Sequence, residues 1–330
     1  MISRVLDSII ERTVIPSFSN LGYKMRRRLF NWPELNTFQL DNKVVVLTGG
    51  TSGIGREAAS VFAALGATLV IVGRNPEKTR LLVQELIKDS GNQSIHAVIG
   101  DLGEREDVQH IADNLASRFP VINVLIHNAG ALFNSRKLAS NGTDLSVELM
   151  VATPFLLTGK LLPQLNAASQ DNEPARVLTM SSGGMYTEAL TVDGIEMSDA
   201  EYQGAKQYAR AKRAQVVLNE MWAERFPTNE IIFHALHPGW VETPGIAEAL
   251  PGFTGWLDKF GLLRTPHQGA DTLVWLSADE IPGRSNGAFW HDRAIRRINM
   301  SSKTRDADTP QTRIALWQWC EEHTQWQFPA

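Results

Sequence analysis

Short apolar runs alternate with longer amphipathic segments along most of the chain, and this pattern predicts its secondary structure. The first run, Val44 to Leu47, leads into a group of glycines, as is typical of a strand covered on both faces. Apolar residues at helical spacing follow between Arg56 and Leu65. We predict further strands at residues 68–72, 95–99, 121–126, 176–180, 231–236 and 287–290, and further helices at 76–88, 104–118, 145–165 and 203–226.

Strand and helix in regular alternation require crossover connections, which are right-handed and place helices on both faces of a parallel sheet. The predicted fold class is therefore α/β, a Rossmann-type doubly wound parallel sheet of about seven strands. We divide the chain into a basic N-terminal arm (1–40), a domain of this fold (41–291) and a C-terminal tail with a short helix (292–330). Pro154 lies awkwardly inside the helix predicted at 145–165.

The turn after the first strand has the residues that phosphate binding needs. Gly49 permits a tight turn with positive φ, while Gly53 and Gly55 lack the Cβ atom that would hold the backbone away from a pyrophosphate. The following helix N-terminus offers unsatisfied N–H groups. A glycine-rich loop without a ligand is the alternative, and the lack of a Gly-Lys-Ser/Thr sequence excludes a P-loop. The predicted cofactor contacts in this turn are Thr48, Gly49, Thr51, Ser52, Gly53, Ile54 and Gly55.

The second predicted strand ends at Val72-Gly73-Arg74, where a dinucleotide fold meets the adenosine ribose. An acid there would accept a hydrogen bond from the 2′-hydroxyl, whereas the Arg74 guanidinium suits a 2′-phosphate. We therefore predict NADP as the cofactor in preference to NAD. An exposed loop arginine without a ligand is the alternative, since no second basic residue stands at Ser52.

The spacing Thr-Gly-x-x-x-Gly-Ile-Gly at residues 48–55 resembles the short-chain dehydrogenase/reductase family. The resemblance covers about residues 43–293, and within the family it is greatest to the dehydrogenase/reductase member 12 group and its bacterial relatives. It implies an enzyme that moves hydride between a nicotinamide and an alcohol or carbonyl group. Its other motifs are Ser181-Ser182-Gly183-Gly184-Met185, the helix from Tyr208, His237-Pro238-Gly239-Trp240, Pro251-Gly252-Phe253, residues 268–272 and residues 289–293.

Two copies of the family's Tyr-x-x-x-Lys motif stand almost in tandem, beginning at Tyr202 and Tyr208. On one helix these tyrosines would lie about 120° apart, so they cannot both face one cleft. Ala211, Ala214, Val217, Leu218, Met221 and Trp222 form the buried face. Tyr208 lies at its edge, whereas Tyr202 falls with Arg213 and Glu220 on the charged side. We therefore predict Tyr208 as the acid/base and Lys212 as its partner.

The chemistry explains this spacing. A tyrosine with a reference pKa of about 10 must be acidified to take a proton from an alcohol near neutral pH. A lysine ammonium one turn away, together with the cationic nicotinamide, supplies the field. Ser182 follows directly after the strand predicted at 176–180, and we predict that it orients the carbonyl group of the substrate. The alternative is a serine that only forms a turn after the strand.

The resemblance also implies cofactor contacts at three later strand ends. Asp101 matches the carboxylate that accepts from the adenine amino group, although it also suits a helix cap with Glu104. His127-Asn128-Ala129-Gly130 is close to the family's Asn-Asn-Ala-Gly, which lies against the adenosine ribose. The implied contacts are Asp101, Leu102, Asn128, Ala129 and Gly130 on the adenosine side, and Pro238, Gly239, Val241 and Thr243 at the nicotinamide carboxamide.

One position departs from the family. Members usually carry an asparagine that holds a water linking the lysine to solvent, and here Met150 occupies that place. A thioether cannot donate a hydrogen bond and accepts only weakly. The leading hypothesis is an NADP-dependent oxidoreductase of an apolar alcohol or carbonyl, with an apolar loop at 246–263 as a lid. Met150 keeps open an alternative, a cofactor-binding protein with little catalysis that acts as a sensor or partner module.

Composition bears on nucleic-acid binding, on the cellular compartment and on metal binding. The chain has 330 residues, 43% of them hydrophobic, and a net charge of −4, which gives no case for nucleic-acid binding. Cys320 is the single cysteine and permits a reducing compartment, so we predict a cytoplasmic protein that is membrane-associated if the arm binds lipid. His234 and His237 lie three apart on a strand and face opposite ways, so no metal site is predicted. Self-association is left open.

The arm mixes basic and aromatic residues around its centre, from Tyr23 to Trp32. Such a segment could hold a membrane surface or an acidic partner. The alternative is a short helix packed on the main domain with a solvated basic face.

Overall fold

Eight strands form one sheet in a computed structural model of the chain, which describes residues 2–169, 173–242 and 251–329. The strands are β1 Val44–Thr48, β2 Thr68–Gly73, β3 Ile95–Ile99, β4 Val124–His127, β5 Ala175–Met180, β6 Ile231–His237, β7 Phe289–His291 and β8 Ala294–Arg296. Their order in the sheet is β3-β2-β1-β4-β5-β6-β7-β8. The pairs from β3 to β7 are parallel, and β8 pairs antiparallel with β7. The predicted α/β doubly wound class is confirmed.

Helices connect the strands and cover the sheet. They are α1 Ile2–Glu11, α2 Val14–Phe18, α3 Asn20–Leu29, α4 Gly53–Ala64, α5 Pro76–Ser90, α6 Arg105–Arg118, α7 Leu145–Val147, α8 Thr153–Lys160, α9 Leu162–Ala168, α10 Gly204–Ala223, α11 Pro251–Lys259, α12 Pro266–Ala278, α13 Ser302–Ala307 and α14 Pro310–Thr324. Strand β1 shows how the sheet separates two cores: Val46 packs into one, while Val45 and Leu47 pack into the other. Because alternate side chains point to opposite faces, the apolar run of β1 is buried on both sides.

The helix predicted at 145–165 is divided in the structure. A π-helical turn at Glu148–Ala152 separates α7 from α8, and the Thr153 N–H donates to the Glu148 carbonyl. Pro154 then stands in the first turn of α8, where its missing N–H costs no hydrogen bond. The helical backbone thus continues from Leu145 to Lys160 through the widened turn, which accommodates the proline. The prediction of one helix as far as residue 165 was wrong at Leu161, beyond which the axis bends by 60°.

Strand β8 lies beyond the last predicted strand. Asp292 and Arg293 form a two-residue turn between β7 and β8, with φ values of 52° and 53°. Positive φ at both positions matches the right-handed twist of the hairpin, and aspartate tolerates it. The sheet thus continues past residue 291, and α14 packs its buried Leu316 and Trp317 into one of the cores. The division into arm, domain and tail stays a prediction, but contacts cross the boundary at 292.

The centre of the N-terminal arm is turned inward. Arg26 is fully buried and forms ion pairs with Asp7, Glu11 and Asp292. Tyr23 is also buried and donates its hydroxyl to Asp271. The expectation of a solvated basic face is therefore wrong at Arg26, because acids far away in the chain meet it inside the protein.

Among the described residues, no single helix is long and apolar enough to cross a membrane. Helices Leu145–Lys160 and Leu162–Ala168 meet that test only as a pair bent by 60°. Phe155, Leu157 and Leu165 of this pair are buried in the core.

Candidate functional site

The turn between β1 and α4 adopts the close backbone packing that its glycines predict. Gly49 has a φ of 68°, and a Cβ atom there would lie 2.8 Å from the Ala129 Cα. A Cβ atom on Gly55 would lie 2.2 Å from the Gly49 carbonyl oxygen. Helix α4 begins at Gly53, so the N–H groups of its first residues have no intrahelical acceptor. The glycines therefore let the backbone of the turn pack closely, and the helix N-terminus supplies hydrogen-bond donors for a phosphate group.

Thr48 ties this turn to the end of β4. Its hydroxyl donates to the Ile126 carbonyl and accepts from the N–H groups of Asn128 and Ala129 at 3.0 and 3.1 Å. The Asn128 amide in turn donates to the carbonyls of Thr48 and Gly49. These predicted cofactor residues are thus brought together, and the side chains of Thr48 and Asn128 hold the backbone in shape.

Arg74 extends into solvent from the end of β2. Its side chain is 75% exposed, and its nearest acid is Asp101, at 3.5 Å. At the same strand end, a Cβ atom on Gly73 would lie 3.3 Å from Thr51 of the glycine turn. The guanidinium is therefore beside the turn and largely free to meet an anion.

Asp101 forms a local turn and does not cap the helix. Its carboxylate accepts from the Gly103 N–H at 2.9 Å, while α6 has Glu104 at its N-cap position without a side-chain cap. The proposed helix-cap alternative is therefore not observed. The neighbouring Leu102 is buried, and its carbonyl accepts from the Thr153 hydroxyl.

Ser182, Tyr208 and Lys212 meet at the carboxyl end of β5. Ser182 accepts from the Gly184 N–H at 3.1 Å, and its hydroxyl lies close enough to the Tyr208 phenol to lower the pKa of that phenol. Lys212 lies one turn beyond Tyr208 on α10, with its Nζ 5.4 Å from the centre of the tyrosine ring. Its ammonium donates to the Met180 carbonyl at 2.7 Å. The three predicted side chains therefore form one cluster.

Burial dominates the electrostatics of this cluster. It raises the pKa of Tyr208 to about 12, and the nearby Ser182 hydroxyl opposes that rise. It lowers the pKa of Lys212 to about 7, because a carbonyl is the hydrogen-bond partner and no carboxylate pairs with it among the described residues. The phenol therefore stays protonated at neutral pH, and Lys212 by itself does not acidify it.

Tyr202 lies outside the cluster and outside the helix. Helix α10 begins only at Gly204, and the Tyr202 hydroxyl donates to the Phe133 carbonyl at 3.2 Å. The geometric reason for preferring Tyr208 therefore needs correction, since the two tyrosines do not share one helix. The charged side inferred for Tyr202 is also wrong, because Arg213 is fully buried and paired with Asp308.

The segment after β6 approaches the glycine turn from the other side. A Cβ atom on Gly269 would lie 2.6 Å from the Val241 side chain and 3.2 Å from that of Ile54, so α12 holds these two predicted contacts close together. Gly239 has a φ of 83°, and the Pro238 carbonyl accepts from Arg264. Thr243 lies outside the described residues, as does part of the predicted lid.

A buried charge cluster under this segment was not anticipated. Arg264 is 1% exposed, forms a bidentate ion pair with Asp292, and donates to the carbonyls of Ser17, Phe18 and Ser19. Burial alone would raise the pKa of Asp292, but the cations Arg264 and Arg26 hold it far below its usual range. The Asp292-Arg293 motif was the available signal, although nothing in it revealed the distant partners.

His237 connects this region to the serine turn. Burial lowers the pKa of His237 well below its usual value, so the ring is neutral and its Nδ1 accepts from the Gly183 N–H at 3.0 Å. This hydrogen bond holds the residue that follows Ser182. Among the described residues, no group of three or more His, Cys, Asp or Glu side chains is placed to hold a metal ion.

Met150 lies directly beside the cluster. A Cβ atom on Gly130 would lie 3.2 Å from the Met150 sulfur and 3.3 Å from the Lys212 Nζ. Behind Met150 is a cavity of about 20 Å³, also lined by His127, Gln215 and Asn219. Neither end of the Gln215 amide has a hydrogen-bond partner among the described residues. A cavity of this size with several polar side chains in its wall is large enough for one water molecule.

Comparison with known proteins bears on this arrangement. The family model of short chain dehydrogenases matches residues 43–251. Dehydrogenase/reductase SDR family member 12 from Homo sapiens is 36% identical over 278 residues, which are 84% of this chain and 84% of the relative. Retinol dehydrogenase 11 from Homo sapiens is 27% identical over 78% of this chain and 79% of its own length.

A solved structure agrees with these relatives. A protein from Escherichia coli CFT073, assigned to the short chain dehydrogenases and crystallised with NADPH, has a TM-score of 0.63 and 25% identity, and the match covers 79% of this chain and 100% of that one. The matched range includes the glycine turn, Ser182 and the Tyr208–Lys212 pair, so the family resemblance read from the sequence is confirmed. The chain belongs to the short-chain dehydrogenase/reductase family, whose enzymes use a nicotinamide cofactor to act on alcohol and carbonyl groups.

Proposed function

We propose that this protein is an NADP-dependent oxidoreductase that interconverts an apolar carbonyl compound and its alcohol, with Tyr208 as the acid/base. The observation that supports it most is the meeting of Ser182, Tyr208 and Lys212 at the carboxyl end of β5. In doubly wound folds, ligands bind in the crevice outside this edge of the sheet.

The residues around that crevice fit a dinucleotide. Gly49 and Gly55 allow the close backbone packing of the glycine turn, and the N-terminus of α4 supplies donors for the pyrophosphate. Arg74 would hold the 2′-phosphate, with Asp101 and Leu102 near the adenine and Asn128, Ala129 and Gly130 near the adenosine ribose. Pro238, Gly239, Val241 and Thr243 would hold the carboxamide. When bound, the nicotinamide supplies or accepts the hydride.

The protein residues then manage the proton. Ser182 orients the substrate oxygen, and Tyr208, protonated at neutral pH, donates its proton to that oxygen as the carbonyl carbon is reduced. In the reverse direction Tyr208 takes the proton from the alcohol. The Lys212 ammonium lies 5.4 Å from the ring centre and stabilises the phenolate formed during reduction.

An apolar substrate is supported by the aromatic surroundings of Ser182. The Phe18 ring contacts His237, with a centroid distance of 4.4 Å, and meets Trp240 edge-on at 5.8 Å. A Cβ atom on Gly183 would lie 2.7 Å from the Phe18 ring. Retinol dehydrogenase 11 is named for an alcohol of this apolar class. The substrate class we propose is therefore an apolar aldehyde or ketone, or the matching primary or secondary alcohol.

Screening the purified chain tests this function. NADPH should be oxidised in the presence of at least one member of a panel of apolar aldehydes and ketones, or NADP reduced with the matching alcohols, as followed by nicotinamide absorbance. Tight binding of NADPH without turnover on any member in either direction would instead support the alternative, a cofactor-binding protein with little catalysis. Met150 beside Lys212 is the observation that favours that alternative.

Arg74→Asp should reverse the cofactor preference. A charge-assisted contact is worth about 1.5 to 3 kcal/mol, so the parent protein should bind NADPH at least about tenfold tighter than NADH. Titration calorimetry of both variants with both nucleotides measures this, and Arg305→Asp, at another exposed arginine, is the matched control. Equal affinity of the parent protein for NADPH and NADH would contradict the assignment.

A further inference from the structure

Exposed large apolar side chains are frequent in the three helices of the N-terminal arm and around α11. Helix α1 exposes Val5, Leu6 and Ile9, while its Asp7 and Ile10 face inward. Val14 and Ile15 of α2 are 59% and 45% exposed. With Leu21 of α3 and with Trp256 and Phe260 around α11, these residues form what we call the apolar surface: Val5, Leu6, Ile9, Val14, Ile15, Leu21, Trp256 and Phe260.

Hydrogen bonds join the two parts of this surface. The Asn20 N–H donates to the Leu262 carbonyl at 3.0 Å, and the Asn20 side chain donates to the Gly261 carbonyl at 2.9 Å. Leu21 follows Asn20 and Phe260 precedes Gly261, so both exposed side chains flank a direct contact. The arm and the segment after α11 are therefore in direct contact next to these two residues.

The charges of the arm favour an anionic surface. Its helices contain two carboxylates, Asp7 and Glu11, and both pair inward with Arg26. Arg12, Lys24 and Arg28 remain exposed beside the apolar side chains. Apolar side chains flanked by outward cations are the composition of helices that lie in the interface of an anionic membrane.

The arm also reaches the candidate active site. The Trp240 N–H donates to the Phe18 carbonyl at 2.8 Å, and the Phe18 ring lies against Gly183, next to Ser182. The apolar surface thus belongs to the same segment that lines the substrate end of the site. An apolar substrate dissolved in a bilayer would be close to Ser182 when this surface rests on the membrane.

We propose that the apolar surface docks on an anionic phospholipid bilayer without spanning it, and that the protein takes its substrate from that bilayer. The docking residues differ from the basic and aromatic centre expected from the sequence, since Tyr23 and Arg26 are buried. The delivery of substrate rests on the proposed function; the docking does not.

Vesicle flotation of the full chain tests the docking. The parent protein should float with vesicles of phosphatidylcholine and phosphatidylglycerol, more weakly with phosphatidylcholine alone, and more weakly at high salt. The double variant Ile9→Glu/Val14→Glu should bind the anionic vesicles at least about tenfold less tightly. Ile314→Glu is the matched control, because Ile314 on α14 is 56% exposed and belongs to no part of the surface.

The outcomes are separable. Flotation that is absent in the parent, or unchanged in the double variant, overturns the docking. A dimer in light scattering that is lost in the double variant, without any vesicle binding, also overturns it.

The delivery of substrate from the bilayer is tested with one water-soluble carbonyl compound and one dissolved in vesicles. The double variant should match the parent on the soluble compound and lose at least about tenfold on the other. If no carbonyl is turned over by any variant while flotation follows the expected pattern, the proposed function fails and the docking stands.

Discussion

Tyr208→Phe should lower the turnover number by about 10² to 10⁴-fold and leave NADPH affinity nearly unchanged. The phenol is the group that would donate the proton to the substrate oxygen, and a positioned acid contributes a factor of this size. The phenyl ring keeps its packing against Lys212, whose Nζ lies 5.4 Å from the ring centre. Steady-state rates with the best substrate of the panel, and nucleotide titration of the same preparations, measure both quantities.

Tyr202→Phe is the matched control. Its hydroxyl donates to the Phe133 carbonyl and does not meet Ser182 or Lys212, so its removal should change the turnover number by less than about twofold. The hydrogen bond lost is worth about 1 kcal/mol of stability at most. If Tyr202→Phe abolished turnover and Tyr208→Phe did not, the assignment of the acid/base would be wrong.

Asp292→Asn should destabilise the protein by about 3 to 5 kcal/mol. Asp292 pairs with two fully buried cations, Arg26 at 2.7 Å and Arg264 at 2.6 Å. The neutral amide would remove the carboxylate that pairs with Arg264 and one of the three that pair with Arg26. Asparagine tolerates the positive φ of this turn, so the effect reports the charge and not the backbone. Denaturant unfolding of cofactor-free protein measures the change.

Asp306→Asn is the control for an exposed ion pair, because Asp306 pairs with Arg305 and both side chains are about 70% exposed. Loss of such a pair should cost less than about 1 kcal/mol. Limited proteolysis shows which part of the chain is loosened by the substitution. Since Asp292 joins Arg26 of the arm to Arg264, the variant should be cut in residues 2–30 sooner than the parent. Equal stability of the two variants would show that the ion pairs of Asp292 do not stabilise the attachment of the arm.

The sequence alone was sufficient wherever a few neighbouring residues set the structure. The glycine turn follows from the spacing of Gly49, Gly53 and Gly55, since backbone conformation and close approach depend on the absence of a side chain. The alternation of apolar runs predicted the parallel sheet because strands buried on both faces must be apolar throughout. The pairing of Tyr208 with Lys212 followed from one helical turn, whereas the family resemblance, and not local spacing, grouped Ser182 with them.

Only the tertiary structure decided which charges are buried and which apolar residues are not. From the sequence, Arg26 is expected to be a solvated cation, because its partner Asp292 lies 266 residues away in the chain. Whether a charge is buried depends on such distant partners. The argument from helical spacing placed Tyr202 on the Tyr208 helix, whereas that helix begins at Gly204 and the Tyr202 hydroxyl donates to the Phe133 carbonyl. Ile9 and Val14 look like core residues, yet they are exposed. Apolar periodicity identifies the face of a helix, but the rest of the fold determines whether anything covers it.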